Sequence, residues 1–239
     1  MKKNVVALAL LTAVASSSYA SDWGYEGEHG PEHWGNVAAE CAQAKNQSPI
    51  DIHQPVEADL VDLNIKYTGV VTGITNNGHT LQAKVEGANT FKVDGVEFSL
   101  AQFHFHTPSE NTIKSQHYPL EAHFVNADKD GNLAVIAVMF DQAQSVNPQL
   151  AQLLEAAPQK GETKSLSSSF KLTELLPKED DYYRFNGSLT TPPCSEGVRW
   201  FVMKEAKSLS AGQISQFEQA MGHNNRPVQP LNARKVLTD

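Results

Sequence analysis

The chain has 239 residues, with 27 acidic against 19 basic side chains and a formal charge of −8. That length fits one large domain with a substantial core, and the acidic balance, with no basic cluster, argues against nucleic-acid binding. No apolar run past the N-terminal segment approaches the length of a bilayer-crossing helix, so no membrane span is expected.

Met1-Lys2-Lys3-Asn4, an apolar run over residues 5–14 and Ser18-Tyr19-Ala20 have the basic, apolar and small-residue regions of a secretory signal peptide. Cleavage of residues 1–20 is expected to leave 21–239 as a single domain in the periplasm or outside the cell. Trp23-Gly24-Tyr25 and Gly30-Pro31-Glu32-His33-Trp34 show no periodicity, and read as a loop that lays aromatic rings on the domain surface. Strand-like runs follow at 63–67, 70–75, 79–85, 90–93 and 96–100. They are separated by Asn76-Asn77-Gly78, Glu86-Gly87-Ala88-Asn89 and Asp94-Gly95.

Gln102-Phe103-His104-Phe105-His106 alternates polar and aromatic residues, the period-2 mark of a strand with two unlike faces. His104 and His106 share one face, with Cα atoms about 6.6–6.8 Å apart. Two imidazoles so spaced can lean onto one ion, since Zn–N bonds are about 2.0–2.1 Å long. Glu121-Ala122-His123-Phe124-Val125 alternates in the same way. If the two strands pair, His104, His106 and His123 converge as a catalytic Zn2+ site with its fourth position open. Gln102 and Glu121 each precede a ligand by two residues on the same face, where an acceptor fixes the tautomer and orientation of an imidazole. A second reading also fits His104-x-His106-x3-Glu110: a cupin-type metalloenzyme on a double-stranded barrel, with Glu110 as a ligand to iron or manganese. That reading gives Glu121 and His123 no role.

Residues 133–140 are continuously apolar and predict a strand buried on both faces. Helical spacing at 146–156 and 210–221 predicts two surface helices, and Pro227 and Pro230 break the C-terminal tail. Ser188-Leu189-Thr190-Thr191-Pro192-Pro193-Cys194 is a proline-fixed loop presenting two threonine hydroxyls. Cys41 and Cys194 are the only cysteines; in an exported chain they point to a disulfide closing a very long loop, with two buried thiols as the alternative. The expected fold is mainly β, a single domain on a large, mostly antiparallel twisted sheet with a few short peripheral helices.

Taken in order, these motifs resemble the α-class carbonic anhydrases of the exported bacterial type, over essentially the whole chain from Trp23 onward. Gln47-Ser48-Pro49-Ile50-Asp51, Asn225-Arg226-Pro227 and Gln229-Pro230-Leu231 complete the set. The resemblance implies a sheet of about ten strands and a zinc enzyme that hydrates carbon dioxide to bicarbonate and a proton through a zinc-bound hydroxide. It implies His104, His106 and His123 as ligands, with Gln102 and Glu121 as their outer partners. Thr190 matches the hydroxyl that orients the attacking oxygen, and Glu110 the carboxylate that takes that hydroxyl's proton. His79 matches the proton shuttle, and Tyr25, Asn77 and Gln82 the lining of its water chain, although Gln82 stands where family members often carry asparagine. Val125, Val135, Leu189 and Trp200 match the apolar wall that holds carbon dioxide, with Thr191 lining the same space. Cys41 and Cys194 match a disulfide of exported members. The resemblance also implies inhibition by sulfonamides and small anions, and it admits a homodimer. A catalytically silent, exported zinc-binding protein on the same fold is the remaining alternative.

Overall fold

The computed structural model describes residues 23–178 and 181–239, so the expected signal peptide lies outside the described residues. Short strands β1 (Asp51–Ile52) and β2 (Val56–Glu57) are followed by β3 (Asn64–Tyr67), β4 (Val70–Asn76), β5 (Leu81–Glu86), β6 (Asn89–Val93) and β7 (Val96–His106). Then come β8 (Thr112–Ile113), β9 (Leu120–Ala127), β10 (Leu133–Ala143), β11 (Thr163–Lys171), β12 (Tyr182–Ser188), β13 (Glu196–Met203), β14 (Lys207–Ser210) and β15 (Leu237–Thr238). Thirteen of these form one open sheet, whose main path runs β11-β4-β5-β7-β9-β10-β13-β12-β15-β2. Its pairings are mostly antiparallel; β10 with β13, β10 with β14 and β15 with β2 are parallel. The count exceeds ten because β2, β14 and β15 are pieces of two to four residues.

The sheet has apolar residues on both faces. On β10, Ile136, Val138 and Phe140 enter one core cluster, while Val135, Ala137 and Met139 enter the other. A continuously apolar sequence is what a strand covered on both sides requires. The first cluster is roofed by α2 (Pro148–Glu155) and α3 (Ala211–Met221), which contribute Leu150, Leu153 and Phe217. Asn147 caps α2 by accepting from the N–H groups of Gln149 and Leu150, and Ser210 with Gln213 forms a capping box on α3.

β7 joins two predicted runs into one strand, and its register against β9 shifts between Leu100 and Gln102. The irregularity at Ala101 flips the alternation. Phe98 and Leu100 before it, and Phe103 and Phe105 after it, therefore all face the first cluster. That leaves Gln102, His104 and His106 on the opposite face. The aromatic segment after Trp23 is not plain loop: Gly27–His29 and Pro31–Asn36 form 3-10 turns around a buried Trp34. The Trp34 indole N–H is shared between the carbonyls of Gly24 and His29.

Candidate metal centre

Antiparallel pairing sets His104 directly opposite His123, and His106 opposite Glu121, across β7 and β9. The three imidazole ring centroids lie 4.9, 5.4 and 4.6 Å apart, and one nitrogen from each ring falls within 4.8 Å of the others. The opposite nitrogens are already engaged. His104 Nδ1 is 2.8 Å from Gln102 Oε1, and His106 Nδ1 is 2.7 Å from the Asn224 carbonyl. His123 Nε2 is 2.9 Å from Glu121 Oε1, though not in line with a ring N–H. Occupying those positions with acceptors leaves the lone pairs of His104 Nε2, His106 Nε2 and His123 Nδ1 to converge. Burial first, and then the neighbouring imidazoles, push His104 and His123 well below the ordinary histidine range; burial also lowers His106. Neutral and convergent, with His104 and His106 held by hydrogen bonds at Nδ1 and Glu121 beside His123, the three rings fit a divalent metal ion with a nitrogen preference.

Two buried carboxylates surround the cluster. Glu121 accepts from the main-chain N–H groups of Glu110 (2.7 Å) and Asn111 (2.9 Å) and from Asn111 Nδ2 (2.8 Å). Glu110 Oε1 accepts from the Arg226 main-chain N–H at 2.8 Å, and its Oε2 lies 3.4 Å from His106 Nε2 and 3.8 Å from His123 Nδ1. Burial raises Glu110 well above the usual carboxylate range, while the Arg226 N–H and the Thr190 hydroxyl favour its ionised form. Among the described residues no donor meets full hydrogen-bond geometry on Glu110 Oε2, the Thr190 hydroxyl being near the carboxylate without alignment.

An apolar wall adjoins the rings. Val125 on β9 faces Val135 on β10, which faces Trp200 on β13. The Trp200 indole meets the His123 ring edge-on at 4.9 Å and donates to the Ser188 carbonyl. Leu189 and Thr191 are half-buried and Thr190 is buried, in the loop that follows β12.

His79 belongs to a turn and not, as the sequence predicts, to the following strand, which begins at Leu81. Asn77 Oδ1 takes the N–H groups of both His79 and Thr80, removing them from any ladder. Gln82 pairs with His104 across β5 and β7. An open cavity of about 670 Å³ is lined by Trp23, Tyr25, Asn77 and His79 among others. Burial and the nearby Glu110 push the Tyr25 phenol well above its ordinary range.

Sequence reasoning missed Asn224. Its carbonyl fixes His106, its Oδ1 takes the Thr107 N–H, and its Nδ2 binds the carbonyls of Phe105 and His79. Cys41 and Cys194 form a disulfide across a separation of 153 residues. The open sheet excludes the double-stranded barrel of the cupin reading.

Residues 29–239 match the family model for eukaryotic-type carbonic anhydrase. The carbonic anhydrase of Pectobacterium carotovorum is 45% identical over 243 residues, covering 98% of this chain and 99% of its own length. The α-carbonic anhydrase of Photobacterium profundum superposes with a TM-score of 0.89 at 56% identity, over 90% of this chain and all of that one. That of Thermovibrio ammonificans, solved with the inhibitor sulfanilamide, gives 0.87 at 48% identity over 90% of this chain and 98% of its own. The likeness runs through every strand that carries the histidines, and by it the chain belongs to the α-class, eukaryotic-type carbonic anhydrase family.

Proposed function

We propose that the protein is a zinc enzyme that interconverts carbon dioxide plus water and bicarbonate plus a proton, with His79 carrying the proton to solvent. The observation that supports this most directly is the convergence of three neutral imidazoles beside Glu110 and an apolar wall. His104, His106 and His123 would hold the ion, and zinc held there would supply the Lewis acidity that brings the pKa of water to about 7 in carbonic anhydrases as a class.

The protein's own groups do the rest. Neutral ligands leave the charge of the ion uncompensated, which three carboxylates would not. Thr190 donates its hydroxyl hydrogen to Glu110 and so can only accept from the attacking oxygen, turning a lone pair of that oxygen toward the wall. Val125, Val135, Leu189 and Trp200 hold carbon dioxide by weak apolar contact, with Thr191 beside it, and weak contact allows fast exchange. One proton leaves per bicarbonate formed. His79 accepts it through water ordered by Tyr25, Asn77 and Gln82, because an imidazole exchanges protons near neutral pH.

Cleavage of residues 1–20, export to the periplasm or medium, and inhibition by sulfonamides and small anions belong to the same reading. The disulfide supports an oxidising compartment. Stopped-flow hydration of carbon dioxide by zinc-loaded and zinc-stripped protein tests the core of the reading. Hydration that vanishes on stripping and returns with zinc is expected. Full zinc occupancy without hydration would leave a silent zinc-binding protein in its place.

A further inference from the structure

The loop carrying Thr190 and Thr191 is seated at both ends on one short stretch, Gln47-Ser48. At the near end, Ser48 and Ser188 exchange hydrogen bonds: Ser48 N–H to Ser188 Oγ at 2.8 Å and Ser188 N–H to Ser48 Oγ at 3.1 Å. The fit there is tight. A Cβ on Gly187 would stand 2.1 Å from Ser48 Oγ, so only glycine admits the contact. At the far end, Cys194 N–H closes a turn onto the Thr191 carbonyl at 2.8 Å, and Gln47 Nε2 donates to the Cys194 carbonyl at 2.9 Å. Cys194 has φ 58, a left-handed conformation that a residue with a Cβ keeps only where its surroundings over-determine it.

Gln47 is held in turn by Arg226. The Arg226 guanidinium donates through Nη1 to Gln47 Oε1 and the Ser48 carbonyl, both at 2.8 Å, and through Nη2 to the Cys41 carbonyl at 2.9 Å. It also lies over the Trp34 ring, 5.7 Å from the centroid. Gln47, Ser48 and Arg226 are at most 3% exposed. The main chain of Arg226 donates to Glu110, the neighbour of Thr190. The contacts therefore close a ring: Thr191, Cys194, Gln47, Arg226, Glu110 and back to Thr190. The buried amide and guanidinium belong to this ring, and among the described residues no hydrogen bond or ion pair joins either to the three imidazoles.

We propose that Gln47 and the Arg226 side chain are positioning residues that fix the Thr190 hydroxyl against Glu110, acting through the Cys194 end of the loop. This rests on the role given to Thr190 above. Because Glu110 is held by the main-chain nitrogen of Arg226, a substitution at Gln47 removes no donor to Glu110.

The test is a double-mutant cycle, read as kcat/KM for carbon dioxide hydration on zinc-loaded protein with zinc content and Tm measured alongside. Gln47→Met, an apolar residue of similar length, is expected to lower kcat/KM about tenfold or more with zinc content unchanged. In a Thr190→Ala background the same change should cost less than about twofold, since the hydroxyl it positions is gone. Gln47→Glu keeps the acceptor for Arg226 and loses the donor to Cys194, so it should fall as Gln47→Met does. It also reports if the methionine variant fails to fold. Equal losses in both backgrounds, or no loss in the parent background, would overturn the positioning role. If Thr190→Ala itself leaves the rate intact, it is the reading of Thr190 that fails, and the two failures are thus told apart.

Discussion

The Trp23 indole and the His79 imidazole stack face to face, with centroids 3.9 Å apart and planes 12° from parallel. The stack holds the ring at the wall of an open cavity, the position that the proposed proton transfer to solvent requires. His79→Ala is expected to lower the maximal hydration rate in weak buffer by roughly ten- to a hundredfold. That is at or below the usual hundredfold minimum for general acid–base catalysis, because water and buffer partly substitute. Added imidazole should restore the rate. Trp23→Ala keeps the imidazole and should cost less. No loss in His79→Ala, or no rescue, would remove His79 from the proton path.

The Thr190 hydroxyl favours the ionised form of Glu110, and under the reading proposed above, it orients the attacking oxygen. Thr190→Ala is expected to reduce kcat/KM by about 10²- to 10³-fold, the usual consequence of deleting one oriented hydrogen-bonding group at a reacting centre. Thr190→Ser keeps the hydroxyl and should recover most of the loss. Stopped-flow rates on samples of matched zinc content decide the matter, and an alanine variant as fast as the parent would sink the role.

The ligand set was legible because all three histidines sit on strands, where a period of two fixes the face. Gln102 and Glu121 were legible for the same reason. The Asn224 carbonyl was not, since every residue carries one and only the fold decides which reaches an imidazole. The irregularity at Ala101 left no glycine or proline to mark it, so one strand read as two. β11 was invisible because, of the residues from Thr163 to Lys171, only Phe170 is buried, and a serine-rich edge strand lacks the alternation that betrays its neighbours. In β12 and β13, Asn186-Gly187 and Glu196-Gly197 interrupt the apolar pattern at the ends nearest the threonine loop. His79 was recognised by its motif while its backbone was misread, because Asn77 captures two N–H groups that a strand would have used.

Metal retention should extend below the ordinary pKa of histidine, about 6.5. Burial lowers the pKa of all three rings, so each stays neutral at a pH where a free imidazole is half protonated. Protons therefore begin to compete for the metal only at lower pH. The same sign sets the contribution of these rings to the stability of the metal-free protein. It is unchanged above about 6.5, where folded and unfolded rings are both neutral, and is lost as pH falls and only the unfolded chain takes up protons. Zinc content after dialysis in steps from pH 7.5 to 5 should stay near one per chain at pH 6. Chelation at pH 7.5 should abolish hydration and lower Tm, because zinc at a hundred times its Kd stabilises by about 2.7 kcal/mol. Half-loss of zinc at or above pH 6.5 would contradict the depressed pKa values.

The disulfide joins the short N-terminal helix α1 (Glu40–Gln43) to the residue that ends the threonine loop, so its loss should register in two measurements. It closes a loop of 153 residues, for which chain entropy alone gives about 5 kcal/mol and measured bridges usually less. For a protein of this size each kcal/mol moves Tm by about 2–4 °C. The paired substitution Cys41→Ser with Cys194→Ser should therefore lower Tm by roughly 5–15 °C. Cys194 must also hold φ 58 without its bridge, leaving Gln47 as the main restraint on its carbonyl. The expected result at 25 °C is a folded, zinc-loaded protein whose kcat/KM falls further than that of Gln47→Met alone when the two changes are combined. An unchanged Tm would mean that the unfolded chain is already constrained by other means. An unchanged kcat/KM in the combined variant would mean that the loop keeps its shape without either anchor.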